Sequence, residues 1–337
     1  MKIAIHDSKA EHFFSKRWIE YCAKKNIPYK IVNAYDNNII EQLKDCDALM
    51  WHHSNYDYRD ALFAKQLIYS LETIGVKVFP NFYTTWHFDD KVGQKYLLES
   101  IGAPMVPSYV FYTKEEAINW VDNTSFPKVF KLRGGSGSSN VKLVESKSAA
   151  KKLVNKAFGS GFNQFDRLNH LHFRYKNFKA GKEGFEAVLK GIARLFIGST
   201  YSNMVPKEKG YVYFQDFIPN NTFDTRVVVV DGKAAAERRM VRKGDFRASG
   251  SGQFSYDDIN IGAIRIALEV SNKLKLQSCA YDFVVDENHN PLIVEISYGF
   301  GTTGIDNAPG YWDSSLKWHE GKFNLQGWMV EDIIKSI

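Results

Sequence analysis

Two acidic residues in the stretch SCAYDFVVDENHNPLIVEIS, residues 278–297, are spaced so that they could hold a metal ion. The stretch predicts two apolar strands joined by a turn, and a turn at residues 287–290 places Asp282 directly opposite Glu295. The same register pairs Asp286 with Pro291 and Phe283 with Val294. Directly opposed side chains start about 5 Å apart, so two carboxylates there repel each other unless a cation lies between them. Magnesium is a suitable cation, because it binds a few carboxylates together with substrate phosphates. The alternative is that one or both acids are simply solvated at a strand end.

A loop rich in glycine and serine lies in the stretch VFKLRGGSGSSNVKLV, residues 129–144. A P-loop would need its lysine after the glycines, whereas Lys131 precedes Gly134. A dinucleotide fingerprint would need a third glycine where Asn140 stands, and the alternation in VKLV indicates a strand rather than a helix. A hairpin tip without large side chains can offer backbone N–H groups to phosphate oxygens, so the loop predicts a phosphate site. A disordered hairpin tip is the alternative.

The composition of the 337-residue chain is typical of a soluble globular protein, with 44% hydrophobic and 24% charged residues. Positive charge is concentrated in residues 128–194, which contain fifteen Lys and Arg against four Asp and Glu, whereas the whole chain has 44 against 38. This basic middle region favours an anionic ligand such as a nucleotide phosphate. Nucleic acid would also suit the run FDRLNHLHFRYKNFKAGK, but no RNP, KH or helix-turn-helix pattern accompanies it.

The sequence carries no signal for a membrane or an oxidising compartment. The start turns polar after five residues and no apolar run reaches membrane-spanning length, so we expect a cytoplasmic protein without a membrane span. Cys22, Cys46 and Cys279 are isolated and odd in number, which indicates reduced thiols rather than disulfides or a zinc site.

Short apolar strands that alternate with helical stretches divide the chain into three blocks. In residues 1–90, the segments KIAIH, YKIVN, ALMWHH and VKVFP predict a small parallel α/β sheet. Residues 91–214 contain the glycine-rich loop and the basic-aromatic run. Residues 215–337 contain a hairpin that turns at Asp231-Gly232, then a helix, the acidic hairpin and a closing helix.

Six motifs follow one another over about residues 90–300: DDK ending at Lys91, VFKLRGGSGSSNV, YFQDFIP, FDTRVVVVDGKAAAERRMVRKGDFRASGSG, AYDFVVD and LIVEIS. In this order they resemble the ATP-grasp enzymes, and most closely the branch of carboxylate–amine ligases with the glutamate ligases that modify ribosomal protein S6. The resemblance implies an α/β chain with the ATP-grasp fold, in which two α+β lobes enclose a nucleotide. Residues 1–90 would be the preceding α/β domain, residues 91–214 the small lobe with an insertion at about 159–210, and residues 215–337 the large lobe.

The resemblance also implies which residues would bind ATP. Lys91 and Lys131 match the two lysines that contact the nucleotide phosphates. The loop over the phosphates matches Gly134, Gly135, Ser136 and Gly137. Adenine would contact Gln215 and the backbone of Asp216 and Phe217, and Asp224 matches the acid on the ribose hydroxyls.

Asp282 and Glu295 match the magnesium ligands of the family, in agreement with the hairpin pairing. The family usually has Glu-x-Asn at this motif, whereas this chain has Ser297, which faces the same way as Glu295 and would ligate weakly or hold a metal-bound water. Three arginines match positions near the transferred phosphate and the acceptor carboxylate: Arg226, Arg238 and Arg247. A guanidinium fork can clamp either group; the alternative is that these arginines are exposed strand residues.

ATP-dependent ligation is the reaction that the resemblance implies. A carboxylate would attack the γ-phosphate to give an acyl phosphate and ADP, and an amine would then displace phosphate to form an amide. A kinase-like phosphotransferase and a MgATP-binding scaffold without turnover remain alternatives, the second because of Ser297. This chemistry needs no nucleophilic side chain. Polar pocket or surface roles are expected for His52, His53, His170 and His172, and acid–base roles are the alternative.

The expected partners are small-molecule carboxylate and amine substrates, such as an amino acid and a sugar conjugate. Attachment of an amino acid to a cell-surface glycan precursor is one such hypothesis. The aromatic, Arg and Lys residues of the insertion at about 159–210 could stack on and clamp a ligand of this kind. A helical lid and a homodimer surface are the alternative interpretations of the insertion.

Overall fold

A computed structural model describes residues 1–8, 13–55, 57–135, 140–163, 206–242 and 244–337, with isolated positions between 175 and 204. Three β-sheets organise this part of the chain. Most of the predicted insertion, together with Ser136 and Gly137 of the glycine-rich loop, lies outside the described residues. None of the helices that the structure describes is long and apolar enough to cross a membrane.

The N-terminal sheet is parallel, with the strand order β2-β1-β3-β4. Its elements are, in chain order, β1 Ile3–His6, α1 Ser15–Lys25, β2 Tyr29–Val32, α2 Ile39–Gln42, β3 Ala48–Met50, α3 Tyr58–Thr73 and β4 Lys77–Phe79. Every residue of β1 and β3 is buried, as is usual for parallel strands that are covered on both faces. The predicted small parallel sheet is therefore confirmed.

A second, antiparallel sheet has the order β5-β8-β6-β7, and we call it the small sheet. The chain reaches it through α4 Phe82–Thr85 and α5 Lys91–Ser100. The elements of this region are β5 Ser108–Phe111, α6 Lys114–Asn123, β6 Lys128–Lys131, β7 Val141–Val144, α7 Lys147–Ala157 and β8 Val212–Asp216. Apolar side chains of α6 and α7 pack around Phe130 and Phe214 on one face of the sheet. Because side chains alternate along a strand, Val129 and Lys131 lie on the other face.

The third sheet, which we call the large sheet, has the order β13-β12-β9-β10-β14-β15, with β11 beside β10. Its elements are β9 Phe223–Val230, β10 Lys233–Met240, β11 Phe254–Ser255, α8 Ile261–Leu274, β12 Ser278–Val285, β13 Pro291–Ser297, a 3₁₀ turn at Ile305–Asn307, β14 Gly310–Trp312, β15 Trp318–Glu320 and α9 Leu325–Ser336. Val227 and Val229 pack with α8, whereas Val228 and Val230 pack with α1 and α9. Even-numbered residues of β9 therefore share the face opposite α8.

The hairpin of β9 and β10 turns at Asp231-Gly232, as the sequence predicts. Both residues have positive φ values, 48° and 68°. A two-residue turn of this kind follows the twist of the strands, and it requires residues such as Asp and Gly that tolerate the left-handed region. It pairs Val230 with Lys233, which fixes the register of the whole hairpin.

The predicted pairing of Asp282 with Glu295 in the acidic hairpin is confirmed, but the outer half of the hairpin is shifted by one residue. The shift comes from a β-bulge in which Val294 is the extra residue of β13. Beyond the bulge, the structure pairs Phe283 with Ile293 and Val285 with Pro291, which corrects the predicted pairs.

The turn of this hairpin explains the shift. The N–H of Asp286 donates to the carbonyl of Asn290 at 3.0 Å, so the loop has three residues instead of the predicted four. His289 has a φ of 62°, the left-handed conformation that closes such three-residue loops. The bulge at Val294 restores the register that brings the two acids together.

Helix α5 begins at Lys91, one of the two lysines that the family resemblance assigns to the nucleotide phosphates. Asp90 caps the helix, because its side chain accepts from the N–H of Gly93 at 2.9 Å. The N–H of Lys91 donates to the carbonyl of Arg133 at 3.0 Å, which ties the start of the helix to the glycine-rich loop. The cap thus defines where the helix starts, and the hydrogen bond to Arg133 holds Lys91 beside that loop.

The Tyr281→Phe variant is expected to lower the free energy of unfolding by about 1–2 kcal/mol. The Tyr281 and Ser271 hydroxyls form a buried 2.7 Å hydrogen bond between β12 and α8, and the change leaves Ser271 without this partner. Urea denaturation of Tyr281→Phe, Ser271→Ala and the double variant measures the effect. The double variant should cost about 1 kcal/mol less than the sum of the single variants, and additive losses would contradict this account.

Candidate functional site

A cavity of about 550 Å³ lies between the small sheet and the large sheet. The small sheet contributes Val129, Lys131 and Gln215, and the large sheet contributes charged side chains from β9, β10, β12 and β13. Apolar side chains complete the walls: Val106, Val141, Phe217, Ile218, Phe223, Val284 and Val294. Apolar walls with a few convergent polar groups are typical of small-molecule sites.

Four charged residues stand directly opposite one another across four neighbouring strands of the large sheet. Glu237 of β10 faces Arg226 of β9, Arg226 faces Asp282 of β12, and Asp282 faces Glu295 of β13. We call these four residues the charge row. The predicted pair of acids is thus one half of a longer array that also contains an arginine and a third acid.

Asp282 is bound by two guanidinium groups. Arg226 donates from Nε to Oδ1 at 2.8 Å and from Nη2 to Oδ2 at 2.9 Å, and Nη2 of Arg239 lies 2.8 Å from Oδ2. Arg239 also forms a two-pronged pair with Asp224 at 2.7 and 2.6 Å. Burial alone would raise the pKa of Asp282, but the two arginines hold it well below its usual range. The acid is therefore ionised, and protein cations neutralise it.

Two buried lysines reach the same wall of the cavity. Nζ of Lys91 lies 3.1 Å from Oε1 of Glu295 and donates to the carbonyl of Gly135 at 2.9 Å. Nζ of Lys131 donates to the carbonyl of Val294, the bulge residue, at 3.5 Å. Burial lowers the pKa of Lys131 to about 8, although Glu295 partly offsets this effect. For Lys91, burial lowers the pKa, but the nearby carboxylates outweigh it and the net pKa is raised.

The described part of the glycine-rich loop is held by an acid that the sequence analysis did not single out. The N–H of Gly135 donates to Oδ1 of Asp89 at 2.7 Å, and Nδ2 of Asn140 donates to the carbonyl of Gly134 at 3.3 Å. Gly135 has a φ of +115°, and a Cβ there would lie 2.5 Å from Nδ2 of Asn140. Burial raises the pKa of Asp89, which stands in the DDK motif that ends at Lys91.

The strand that was predicted to meet adenine lies on the cavity, with one difference. Nε2 of Gln215 donates to Oγ of Ser108 at 3.0 Å and to the carbonyl of Val294 at 3.4 Å. The N–H of Asp216 donates to the carbonyl of Pro107 at 2.9 Å. The Asp216 amide is therefore already hydrogen-bonded within the protein, and a contact of this backbone with adenine stays a prediction. Phe217, Asp216 and Gln215 all line the cavity.

Arg238, which was predicted to lie near the transferred phosphate, is not among the residues that line the cavity. It lies on the other face of β10, where its guanidinium is 4.3 Å from the ring centroid of Phe223. The next residue, Arg239, points into the cavity instead. The predicted turn at Asp231-Gly232 already pairs position 239 with Asp224, so strand alternation would have identified Arg239 from the sequence.

The remaining predicted residues lie around the cavity, each with a partner in the protein. Arg247 lines the cavity and pairs with Asp245 at 2.7 Å. Ser297 lies on the same wall as Glu295, and its hydroxyl donates to the carbonyl of Gly299 at 3.1 Å. Across the described ranges, no group of three or more His, Cys, Asp or Glu side chains is arranged to hold a metal ion.

The histidines take structural positions where they are described. Nδ1 of His52 accepts from the N–H of Phe14 at 3.1 Å, and burial lowers the pKa of His53 well below its usual value. His52 also lines a second cavity, of about 820 Å³, at the carboxyl ends of the N-terminal strands. His170 and His172 lie outside the described residues.

Comparisons with known proteins agree on one fold. Residues 197–311 match the family model of the RimK-like ATP-grasp domain. A RimK-domain ATP-grasp protein from Sphaerobacter thermophilus DSM 20745 has a similar structure, with 14% identity and a TM-score of 0.61 over 99% of this chain and 100% of that one. The D-cycloserine synthetase DcsG is similar at 13% identity and a TM-score of 0.60, over 98% and 99% of the two chains.

A third similar structure is D-alanine–D-alanine ligase from Bacillus anthracis complexed with ATP. It has 15% identity and a TM-score of 0.56, over 92% of this chain and 89% of that one. No curated protein matches the sequence.

The Arg239→Gln variant is expected to lower the free energy of unfolding by about 3 kcal/mol, because it leaves Asp224 without its cation and removes one from Asp282. Arg238→Gln makes the same change on the opposite face. Its partner Asp258 is 88% exposed, so the loss should stay below about 1 kcal/mol. Urea denaturation of both variants compares them, and equal losses would contradict the assignment of Arg239 to the buried network.

Proposed function

We propose, from the ATP-grasp fold that this chain has, that it is an ATP-dependent carboxylate–amine ligase. The observation that carries the proposal is that two buried lysines, Lys91 and Lys131, approach the carboxylate-bearing wall of the large sheet across one cavity. Facing cations and carboxylates suit a phosphate chain and the metal ion that accompanies it. The match to a RimK-like ATP-grasp domain, and the structural similarity to a D-cycloserine synthetase and a D-alanine–D-alanine ligase, support the same activity.

The phosphate end of the cavity fits the triphosphate of ATP. Lys91 and Lys131 supply two buried ammonium groups, and the contacts that they make in the protein are ones that phosphate oxygens could replace. Gly135 adopts a conformation that only glycine takes easily, and a Cβ there would collide with Asn140, so this turn of the loop requires glycine. We assign the phosphates to these residues and to Gly134, with Ser136 and Gly137 completing the proposed loop.

The same cavity also offers groups that fit a nucleoside. Phe217, Ile218 and Val106 give apolar walls for adenine, beside Gln215. Asp224 lines the cavity and is the acid that we assign to the ribose hydroxyls. Both of its oxygens accept from Arg239, but a carboxylate has about four lone-pair positions, so it can also accept from a hydroxyl.

Asp282 and Glu295 fit a magnesium ion, with Ser297 beside them. The two carboxylates come from directly opposed positions of neighbouring strands, and magnesium needs only a few carboxylates when phosphates complete its coordination. When bound, the ion supplies charge neutralisation to the phosphates. Ser297 has its proton engaged by the carbonyl of Gly299, so its oxygen lone pairs are the groups that it can offer.

The residues of the chain would act by alignment and charge neutralisation, which is what phosphoryl transfer mainly requires. We assign Arg226, Arg239 and Arg247 to the substrate carboxylate and the transferred phosphate, with Arg239 in place of Arg238. In the proposed reaction, a substrate carboxylate becomes an acyl phosphate as ADP leaves. An amine then attacks the acyl carbon and loses a proton as phosphate is displaced. Apolar walls would limit the access of water to the acyl phosphate.

Analysis of the products tests the proposal. The chain is incubated with Mg²⁺, ATP and panels of amino acids and nucleotide-sugars, and the products are identified by mass spectrometry. A ligase releases ADP and phosphate when carboxylate and amine are both present, and its product has the mass of the two substrates less one water. A stable phosphorylated product would indicate a phosphotransferase, nucleotide binding without ADP release would indicate a scaffold, and AMP would contradict the chemistry.

The Lys131→Ala variant is expected to weaken the binding of Mg·AMP-PNP by about 10- to 100-fold, because it removes one charge-assisted contact to the phosphates. Lys142→Ala is the matched control, since Lys142 is exposed on β7, next to Val141 of the cavity wall. It should change the dissociation constant by less than about 2-fold. Isothermal titration calorimetry gives both values, and an unchanged affinity in Lys131→Ala would refute the assignment of Lys131 to the phosphates.

A further inference from the structure

Glu237 is a buried acid at one end of the charge row. The residue is 2% exposed, and its Oε2 has no hydrogen-bond partner among the residues that the structure describes. An unpartnered polar atom in the interior costs stability, so such an atom in a folded protein calls for an explanation. The charged side chains near Glu237 lie on the same face of the large sheet: Arg226, Arg239, Asp224 and Asp282.

The backbone beside Glu237 leaves room for its carboxyl group. A Cβ built on Gly304 would collide with Oε2 of Glu237. The hydroxyl of Tyr256 donates to the carbonyl of Gly304 at 2.7 Å and holds this part of the chain in place. The same segment begins at Gly299 and Phe300, which line the cavity. The position of the acid is therefore enclosed and next to the proposed active site.

Arg226 lies between two acids. It is directly opposite Glu237 on β10 and directly opposite Asp282 on β12, yet its hydrogen bonds go to Asp282. Directly opposed residues have Cβ atoms about 4.5–5.5 Å apart, so an arginine side chain can reach either neighbour. Arg239 has no such choice, because Nε and Nη2 are both bound by Asp224.

A metal ion on Asp282 would disturb this arrangement. The Asp282 carboxylate already receives three guanidinium contacts, two from Arg226 and one from Arg239. A carboxylate has about four lone-pair positions, so little room is left for a metal ion. A divalent cation at this carboxylate would also lie beside two positive charges and repel them. For Asp282 to ligate a metal ion, a guanidinium must turn away, and Arg226 is the one with a second acid within reach.

We propose that Glu237 is a positioning residue that takes over Arg226 when Asp282 binds a metal ion. The inference rests on the proposed function, because the metal ion is the one that would arrive with the nucleotide. Arg226 moves its hydrogen bonds from Asp282 to Glu237, which is directly opposite it on the other side. It therefore keeps a counter-ion while Asp282 coordinates the metal ion. Without the Glu237 carboxylate, metal binding at Asp282 would leave Arg226 without an anionic partner from the protein at a directly opposed position.

Titration of Glu237→Gln with AMP-PNP, with and without Mg²⁺, tests the inference. In the wild type, Mg²⁺ should tighten the binding of AMP-PNP. In Glu237→Gln, the dissociation constant with Mg²⁺ should rise at least about 10-fold, whereas the value without Mg²⁺ should change by less than about 3-fold. Burial raises the pKa of Glu237 to about 7, so the titrations are made at about pH 8, where the carboxyl group is mainly ionised.

Glu72→Gln is the control, because it makes the same change at a partly buried acid that accepts from the N–H of Phe82 and does not line the cavity. It should leave both dissociation constants unchanged. Thermal unfolding of Glu237→Gln without ligand should show no loss of stability, since a buried carboxyl group whose Oε2 has no hydrogen-bond partner is replaced by a neutral amide. If Glu237 served only the fold, Glu237→Gln would lower the thermal stability, and Mg²⁺ would still tighten the binding of AMP-PNP as in the wild type.

The outcomes separate this inference from the proposed function. An undiminished gain in affinity with Mg²⁺ in Glu237→Gln overturns the inference and leaves the proposed function standing. Failure of wild-type protein to bind AMP-PNP contradicts the proposed function itself. Should Glu237→Gln not fold, crystal structures of the wild type with AMP-PNP decide: Arg226 should contact Glu237 when Mg²⁺ is present, and continued pairing with Asp282 in that complex refutes the inference.

Discussion

The pairing of Asp282 with Arg226 and Arg239 is the interaction on which the site depends. These charged side chains stand on one face of the large sheet, and a buried charge is tolerated only where an opposite charge and hydrogen bonds accompany it. Directly opposed positions on β9 and β12 place Arg226 beside Asp282. The strand register thus determines which charges are paired, and the pairing in turn stabilises that register. This wall of the cavity is therefore charged while the face toward α8 is apolar.

Two lysines supply positive charge on the side of the cavity that faces the large sheet: Lys131 from β6 and Lys91 from the start of α5. Lys131 reaches the bulge carbonyl of Val294, and Lys91 reaches Glu295 and the carbonyl of Gly135. The two lysines thus connect the glycine-rich loop, β6 and β13 through contacts that a phosphate chain could replace. Without a ligand, the two lysines bind carbonyl and carboxylate groups of the protein. A bound phosphate chain would replace these contacts with contacts to its own oxygens.

Much of the architecture could be predicted from the sequence, because strand alternation and turn chemistry are local. The parallel sheet, the turn at Asp231-Gly232 and the pairing of Asp282 with Glu295 are confirmed. The bulge at Val294 was missed because the residue types of the turn do not distinguish a four-residue loop from the observed three-residue loop, in which His289 is left-handed and Asn290 is paired. Arg238 was placed in the site by resemblance, although alternation along β10 assigns that position to its neighbour. Tertiary contacts, such as that of Asp89 with the glycine-rich loop, have no sequence period.

We propose that this cavity recognises a nucleotide through its phosphates, with two buried lysines as the main contacts. Calorimetric titration of the chain with Mg·AMP-PNP and with adenosine tests it most directly. Two charge-assisted contacts of about 1.5–3 kcal/mol each predict that AMP-PNP binds at least about 100-fold more tightly than adenosine. Equal affinities for the two ligands, or no binding of either, would contradict the account.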